Sequence, residues 1–174
     1  MNPTQHKEQK IAVFVDVQNI YYTVKQMYNC HFDYSIFMSE ITRDRQLVKA
    51  IAYAIDKGDA KQIKFQKIIE NLGFEIKLKP FIKRSDGSRK GDWDVGITID
   101  IMDYAKQSDV IVLASGDGDF DLLVEKIKKE YNVIVEVYGV QELTATTLIE
   151  KATRFIPIQG ELLLKGVTLN ASDV

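Results

Sequence analysis

The sequence predicts a single α/β domain, a three-layer α/β/α sandwich built on a mainly parallel sheet. Short, almost wholly apolar segments alternate with longer segments whose apolar residues recur at helical intervals, which is typical of βαβ units. The 174-residue length is that of about one domain, and 45% hydrophobic residues are enough to form one core. We assign this domain to residues 10–158, between a disordered tail at 1–9 and a C-terminal tail or arm at 159–174.

The predicted strands are short apolar runs. Lys10–Val15 and Val110–Ala114 have almost no polar residue, as expected for strands that are buried on both faces. Leu47–Ile55 is a similar run, although its alanines also allow a helix. Phe74–Leu78 alternates apolar and charged residues, which favours a strand nearer the sheet edge. The last two predicted strands are Val133–Tyr138 and Arg154–Pro157.

The predicted helices lie between these strands. Ala60–Asn71 has apolar residues at helical intervals, and Gly73 is the expected stop just beyond it. A polar, basic loop at Phe81–Lys90, with a turn at Asp86-Gly87, precedes the next helix. The other helical patterns cover Ile20–Met27, Asp92–Lys106, Asp121–Lys129 and Glu142–Lys151.

The composition limits the kinds of binding site. Lys and Arg number 23 against 25 Asp and Glu, and this balance argues against tight non-specific coating of nucleic acid. Cys30 is the single cysteine, which excludes an internal disulfide and a cysteine-rich zinc site. Since His6 and His31 are the two histidines, carboxylates would have to hold any metal. Such oxygen ligands suit Mg²⁺ or Mn²⁺ better than Zn²⁺.

The sequence contains no signal for export or membrane insertion. No apolar run approaches the roughly 18 residues of a membrane span. The first ten residues lack the apolar region of a signal peptide. We therefore expect a cytoplasmic protein with no membrane partner, and the sequence leaves a homo-oligomer open.

Aspartates follow two of the predicted central strands. Asp16 ends the first, with Asn19 three positions later, and Asp117 and Asp119 follow the fourth. These residues could simply cap helices and shape turns. However, ligands in parallel sheets lie beyond the carboxyl ends of the strands, where the strand order reverses. Carboxylates brought together there would repel one another unless a cation or protons compensate, which favours a metal site.

Further candidate residues surround these strand ends. Asp94, in the first turn of its helix, can project toward the same edge, although acids are favoured at helix N-termini in any case. Asp100 lies six residues on, about 120° around the helix, and is assigned a supporting role. Asp121 is either a further ligand or an acid favoured by the helix dipole. Ser115 could hydrogen-bond a ligating carboxylate or shape the turn.

Other site chemistries fit the sequence less well. Residues 115–119 lack both the Lys-Ser/Thr of a phosphate-binding loop and the glycine pattern of a dinucleotide site. No G-x-S-x-G nucleophile elbow is present. A phospho-aspartyl phosphatase would have a second acid at position 18, where Gln18 stands. A receiver-like acidic pocket that gathers Mg²⁺ remains an alternative.

Three blocks of sequence, taken together, resemble the NYN domain family, and more narrowly its LabA-like branch within the PIN-like nuclease superfamily. They are Phe14–Asn19 (FVDVQN), Lys90–Asp100 (KGDWDVGITID) and Ser115–Phe120 (SGDGDF). The resemblance spans about Lys10–Pro157 and implies a PIN-like α/β/α fold and metal-dependent cleavage of RNA. The catalytic, metal-binding acids that it implies are Asp16, Asp94, Asp117 and Asp119, with Asn19 nearby and Asp100 supporting.

The middle block departs from the family pattern. Asp92 and Trp93 stand between the Lys-Gly pair and Asp94, where the family has one residue. Either Asp92 or Asp94 could therefore face the site, and the spacing from Asp94 to Asp100 favours Asp94. Asp121 is not typical of this branch, although more distant PIN-like nucleases carry an acid there.

These features predict a Mg²⁺- or Mn²⁺-dependent ribonuclease in which an activated water hydrolyses the phosphodiester. RNA would be gripped by the basic loop, unless this loop is an ordinary solvated turn. Trp93 and the Tyr21-Tyr22 pair would either stack on bases or belong to the core. The basic residues concerned are Lys79, Lys83, Arg84, Arg89 and Lys90.

Two other functions remain compatible with the sequence, because a fold does not determine a function. The first is a non-catalytic regulatory or scaffolding module that keeps the acidic pocket. The second is hydrolysis of nucleotides or other phosphate esters.

Overall fold

A computed structural model of the chain describes residues 7–80, 82–83, 85, 89–90 and 92–164. Its central sheet has six strands in the order β4-β3-β1-β7-β8-β9, and every neighbouring pair is parallel. The described strands are β1 (Gln9–Asp16), β2 (His31–Phe32), β3 (Arg45–Asp56), β4 (Glu75–Pro80), β5 (Ile82–Lys83), β6 (Arg89–Lys90), β7 (Val110–Ala114), β8 (Ile134–Gly139), β9 (Arg154–Pro157) and β10 (Leu163–Leu164). The predicted parallel α/β sheet is therefore confirmed.

Helices cover both faces of the sheet. The described helices are α1 (Val17–Tyr28), α2 (Tyr34–Ile41), α3 (Ala60–Asn71), α4 (Asp94–Ala105), α5 (Asp121–Tyr131) and α6 (Thr146–Lys151). Asp16, Asp33 and Asp59 begin the first three by accepting a backbone hydrogen bond from the residue three positions on. Gly73, the predicted stop after α3, has a φ of 103°, which glycine adopts readily.

The alternation of side chains along the strands divides the core into two layers. Ile11, Val13 and Val15 of β1 face the layer formed with α1, α2 and α3. Ala12 and Phe14 face the layer formed with α4, α5 and α6. Because β1 and β7 are buried on both faces, each is apolar along nearly its whole length, as the sequence suggested.

The strand order reverses between β1 and β7. The chain proceeds from β1 to β3 and β4 on one side, then crosses to β7 and continues to β8 and β9 on the other. Loops leaving β1 and β7 in opposite directions open a crevice at their carboxyl ends. Asp16 ends β1, and Ser115 follows β7, so this crevice contains the residues that the sequence singled out.

The structure also corrects several predicted elements. The sequence pattern predicts no element within residues 28–46, where β2 and α2 lie. The helix predicted at Glu142–Lys151 is a 3-10 turn at Gln141–Leu143 followed by α6. The basic loop contains an antiparallel pair, β5 with β6, while residues 81, 84, 86–88 and 91 lie outside the described residues.

The start of the C-terminal arm packs on its own domain. Leu162 is buried in the core, and its carbonyl accepts a hydrogen bond from the backbone N–H of Asp33. β10 then pairs antiparallel with β2. Of the two predicted tails, residues 1–6 and 165–174 lie outside the described residues, and β1 already begins at Gln9. None of the helices in the described part of the chain combines the length and apolar character needed to cross a membrane.

Candidate metal centre

An acidic pocket of about 250 Å³ lies at the crevice between β1 and β7. The end of β1, the first two turns of α1, the start of α4 and the loop after β7 form its walls. Its lining residues are Asp16, Gln18, Asn19, Tyr22, Thr23, Asp92, Asp94 and Asp117.

Asp16 is fixed by hydrogen bonds to both carboxylate oxygens. Its Oδ1 accepts from the backbone N–H of Asn19 at 3.3 Å, so the residue caps α1. Its Oδ2 accepts from the hydroxyl of Ser115 at 3.3 Å. Asp16 therefore has the helix-capping role considered for it and also faces the pocket, and the two functions are not exclusive.

The loop after β7 is tied to the loop after β1. The backbone N–H of Gly116 donates to Asn19 Oδ1 at 2.8 Å. The N–H of Asp117 donates to the Ser115 hydroxyl at 3.2 Å, and Asp117 Oδ1 accepts from the N–H of Asp119 at 2.9 Å. Asn19 and Ser115 thus hold two acidic loops together by contacts that reach across about 100 residues of chain.

The two glycines of this loop allow close packing against the segment before α6. A Cβ at Gly116 would lie 2.9 Å from Thr144 Oγ1 and 3.0 Å from the Leu143 carbonyl oxygen. A Cβ at Gly118 would lie 2.8 Å from the Ala145 Cβ. Larger residues would push the loop away, so the glycines help to set the position of Asp117 and Asp119.

Contacts of Trp93 and Lys79 position the acids at the start of α4. Trp93 precedes the helix, and its indole N–H donates to the Ala54 carbonyl at 2.9 Å. The indole ring packs against Tyr53 with 5.4 Å between centroids, and Lys79 Nζ lies 4.4 Å from the ring centroid. Lys79 also donates to the Asp92 carbonyl at 2.9 Å. These side chains fasten the segment that carries Asp92 and Asp94 to the ends of β3 and β4.

Three of the four predicted ligands come within reach of one ion. Asp94, Asp117 and Asp119 each present a carboxylate oxygen, and these oxygens all lie within 4.8 Å of one another. Asp16 is not in this group of three, but it lines the same pocket beside Asp94 and Asp117. Asp92 lines the pocket as well, so both acids of the ambiguous Asp92/Asp94 pair face it.

Burial and mutual repulsion raise the pKa of two of these acids. Burial is the largest cause for Asp94, and its pKa rises to about 7 with further contributions from Asp117, Asp92, Asp16 and Asp119. Burial likewise raises the pKa of Asp16 to about 6, against the opposing hydrogen bonds from Asn19 and Ser115. Both effects penalise the charged carboxylates, so the pocket favours binding of protons or cations.

Ion pairs among the described residues involve acids outside the pocket lining. These acids are Glu75, Asp100, Glu125, Glu130 and Glu136. A divalent cation would compensate the repulsion in the pocket, and an all-carboxylate donor set suits Mg²⁺ or Mn²⁺. The residues present therefore fit such an ion.

Two supporting acids of the sequence analysis lie outside the pocket lining. Asp100 accepts from the Tyr53 hydroxyl and from Lys77 Nζ, each at 2.7 Å. It therefore supports the Tyr53–Trp93 packing rather than contacting the acidic group directly. Asp121 begins α5 and is absent from the group of three acids.

The structure describes the predicted substrate-binding residues only in part. The backbone of Lys83, Arg89 and Lys90 forms the β5–β6 hairpin, whereas their side chains and all of Arg84 lie outside the described residues. Trp93 is half-buried and held by Tyr53 and Lys79, so packing explains its presence.

Some lining residues had not been singled out from the sequence. Gln18 and Thr23 lie on the wall formed by α1. The helical period after Asp16 was the available signal, because positions 19, 22 and 23 share one helix face. Thr23 donates to the Asn19 carbonyl at 2.8 Å, which stabilises the turn that carries Asn19.

Comparisons with known proteins identify the family of the chain and support its fold. The family model described as "NYN domain" matches residues 10–162. The low amplitude and bright protein LabA of Synechococcus elongatus is 29% identical over 157 residues, which cover 86% of this chain and 83% of LabA. The crystal structure of a protein of unknown function from Vibrio parahaemolyticus is 49% identical, with a TM-score of 0.87. It covers 94% of this chain and 100% of its own.

Proposed function

We propose that this chain, which belongs to the NYN domain family, is a Mg²⁺- or Mn²⁺-dependent nuclease whose substrate is RNA. Its likeness to LabA over most of both chains assigns it to the LabA-like branch, and NYN domains are PIN-like. One observation carries the proposal: oxygens of Asp94, Asp117 and Asp119 lie within 4.8 Å of one another, and two of these acids, Asp94 and Asp117, line a pocket together with Asp16.

The acids of the site would have different roles in metal binding and substrate hydrolysis. A bound Mg²⁺ or Mn²⁺ would supply an activated water and would neutralise charge that develops on the scissile phosphate. Asp94, Asp117 and Asp119 would hold the ion, and Asp94 would release its proton in doing so. Asp16, oriented through both of its oxygens, would keep a carboxylate in a defined position beside them.

The choice of RNA rests on the resemblance to the family, whereas the basic hairpin would account for binding of a phosphate backbone of either nucleic acid. β5 and β6 carry Lys83, Arg89 and Lys90, and the chain passes from β6 almost directly to Asp92 at the pocket. Basic side chains at that place would bind phosphates of the substrate on either side of the cleaved bond. Such contacts position a strand without selecting its sequence.

A non-catalytic role is the second candidate. The relative's name, "low amplitude and bright protein", describes no reaction. A regulatory module that keeps the acidic pocket for a structural cation would have the same geometry. Activity, and not metal binding, distinguishes the two candidates.

The experiment is a metal-dependent assay on labelled RNA, single- and double-stranded DNA and a small phosphate ester. We expect RNA cleavage with Mg²⁺ or Mn²⁺, and its near-complete loss in Asp16→Asn and Asp117→Asn, because asparagine removes the charge with little change of shape. Asp103→Asn is the matched control, since Asp103 is exposed on α4 and outside the pocket lining.

Each result separates the candidates. Cleavage of the small ester without cleavage of RNA would indicate the phosphate-ester alternative. A folded protein that binds Mn²⁺ and cleaves no substrate would support the regulatory alternative. Near-wild-type turnover by either pocket variant would refute the proposed site.

A further inference from the structure

The pocket has one aromatic wall. Tyr22 lies on α1, six residues after Asp16, and lines the same pocket as acids of the α4 segment and of the loop after β7. Its side chain is 38% exposed, so a large part of the ring remains accessible to a ligand. The other described lining residues carry carboxylate, amide or hydroxyl groups, so Tyr22 supplies the one aromatic ring among them.

The ring of Tyr22 packs against the ring of the neighbouring Tyr21. Its centroid lies 5.3 Å from that of Tyr21, in an edge-to-face arrangement with an interplanar angle of 79°. Tyr21 is half-buried, and its ring in turn lies 5.9 Å from that of His31 and 5.8 Å from Lys25 Nζ. Because α1 is tied to the pocket through Asp16 and Asn19, this aromatic support holds the Tyr22 ring at a fixed place beside the acids.

We infer that Tyr22 is a stacking subsite for the nucleobase of a nucleotide that adjoins the cleaved phosphodiester. This inference rests on the proposed nuclease function and specifies its substrate as an unpaired nucleotide. Aromatic side chains bind single strands in this way, because every base offers a π face.

The chemistry of the pocket favours a base over the other parts of a nucleotide at this position. Phosphate oxygens would be repelled by the carboxylates wherever no cation bridges them. Ribose offers hydroxyl groups but no flat face to match an exposed ring. A base that is stacked and paired in a duplex is not free to reach Tyr22, so single-stranded RNA is cleaved in preference to double-stranded RNA.

The test compares Tyr22→Ala, Tyr22→Phe and Met27→Ala on single-stranded RNA. Met27 is the matched control, because it is 37% exposed on the same helix and does not line the pocket. We expect Tyr22→Ala to raise KM by about 5- to 150-fold, the range that corresponds to one stacked base. Met27→Ala should keep a near-wild-type KM, and Tyr22→Phe, which retains the ring, should recover most of the affinity that Tyr22→Ala loses.

A substrate with a single abasic nucleotide distinguishes stacking from a purely structural role of Tyr22. Only stacking makes the effect of Tyr22→Ala on cleavage depend on the presence of one base. Moved along the strand, the abasic site should weaken wild-type cleavage at one position beside the cleaved bond. At that position Tyr22→Ala should lose nothing further, because the base that it stacked on is already absent. Melting temperatures of all variants show whether each one is folded.

Two outcomes overturn the inference, and they are distinguishable. Wild-type KM in folded Tyr22→Ala, or additive losses from the abasic site and the substitution, would refute the stacking subsite and leave the nuclease proposal intact. Failure of the wild-type protein to cleave any RNA would refute both.

Discussion

One acid in the middle of the sheet and the acids beyond its carboxyl end have opposite electrostatic surroundings. Glu136, in the middle of β8, is 3% exposed and forms a two-fold hydrogen-bonded ion pair with Arg45, at 2.7 and 3.1 Å. Arg154 lies 3.6 Å from the same carboxylate. At the carboxyl end of the sheet, Asp16 and Asp94 face other acids, and burial together with those acids raises the pKa of both.

The difference indicates which acids serve the fold and which serve a ligand. A buried carboxylate with its own arginine has its charge compensated within the chain, and it helps to join β8 to the start of β3. Clustered carboxylates with raised pKa values cost stability, and such groups concentrate at functional sites. We therefore assign Glu136 to structure, and this contrast supports the proposal that the clustered acids bind a cation.

The largest expected effect on stability contrasts Glu136 with Asp117, one of the acids of the pocket. Glu136→Gln leaves Arg45 without a compensating charge and should lower the free energy of unfolding by about 3 kcal/mol, since Arg45 is still partly exposed. Asp117→Asn should leave that free energy unchanged or raise it, because repulsion falls while the amide oxygen can still accept from Asp119. Urea unfolding without metal measures both.

The double variant Arg45→Met, Glu136→Met is the control for this contrast. Removing both charges should cost less than removing one, because no uncompensated ion stays buried. A stability loss in Asp117→Asn as large as that in Glu136→Gln would contradict the division into structural and ligand-binding acids.

A smaller effect concerns pH. The folded protein holds protons on Asp16 and Asp94 up to pKa values of about 6 and 7, whereas aspartates of an unfolded chain titrate near about 3.9. Between these values the folded state binds more protons, so the stability of the metal-free protein should fall as pH rises from about 4 to about 7.

Metal affinity should change in the opposite direction over the same range. The cation must displace the Asp94 proton, so Mn²⁺ binding should be roughly 30-fold weaker at pH 5.5 than at pH 8. Calorimetric titration at several pH values checks this, and proton release on binding should decline above pH 7. An affinity that does not vary with pH would contradict displacement of a proton from Asp94.

The smallest effect concerns the basic hairpin. If Arg84 and Arg89 bind phosphates, their replacement by alanine should raise KM with kcat nearly preserved, because ground and transition states lose the same contacts. Each lost contact should also flatten the log-log salt dependence of single-strand binding by about 0.7. Wild-type binding by the double variant across a salt titration would show that the hairpin is an ordinary solvated turn.

The acids that sheet topology brings to the pocket could be predicted from the sequence. Asp16, Asp117 and Asp119 follow strands that are apolar along their length, and parallel central strands must deliver their carboxyl ends to one edge. Their meeting could therefore be inferred from strand pattern alone. Chain order and the period of apolar residues carry that information.

The rest of the pocket depends on side-chain contacts that no local pattern reveals. The bond from Trp93 to the Ala54 carbonyl joins residues 39 apart, and with the Lys79 contacts it places both Asp92 and Asp94 at the pocket. Trp93 was consequently a candidate for base stacking in the sequence analysis, and Asp92 was an alternative to Asp94. The eight-residue helix α2 was missed for a related reason, since it is too short for periodicity to distinguish it clearly.

The central claim is that the acids of the pocket form a site for a divalent cation. Its most direct test is the binding of Mn²⁺ to the wild type, Asp94→Asn and the exposed control Asp103→Asn, measured by titration calorimetry and by the melting temperature. We expect the wild type and the control to bind Mn²⁺ and to gain about 2.7 kcal/mol of stability at 100 times the dissociation constant. Asp94→Asn should lose most of both effects. Absence of binding and of any thermal shift at millimolar Mn²⁺ in the wild type, or equal binding by Asp94→Asn, would contradict the claim.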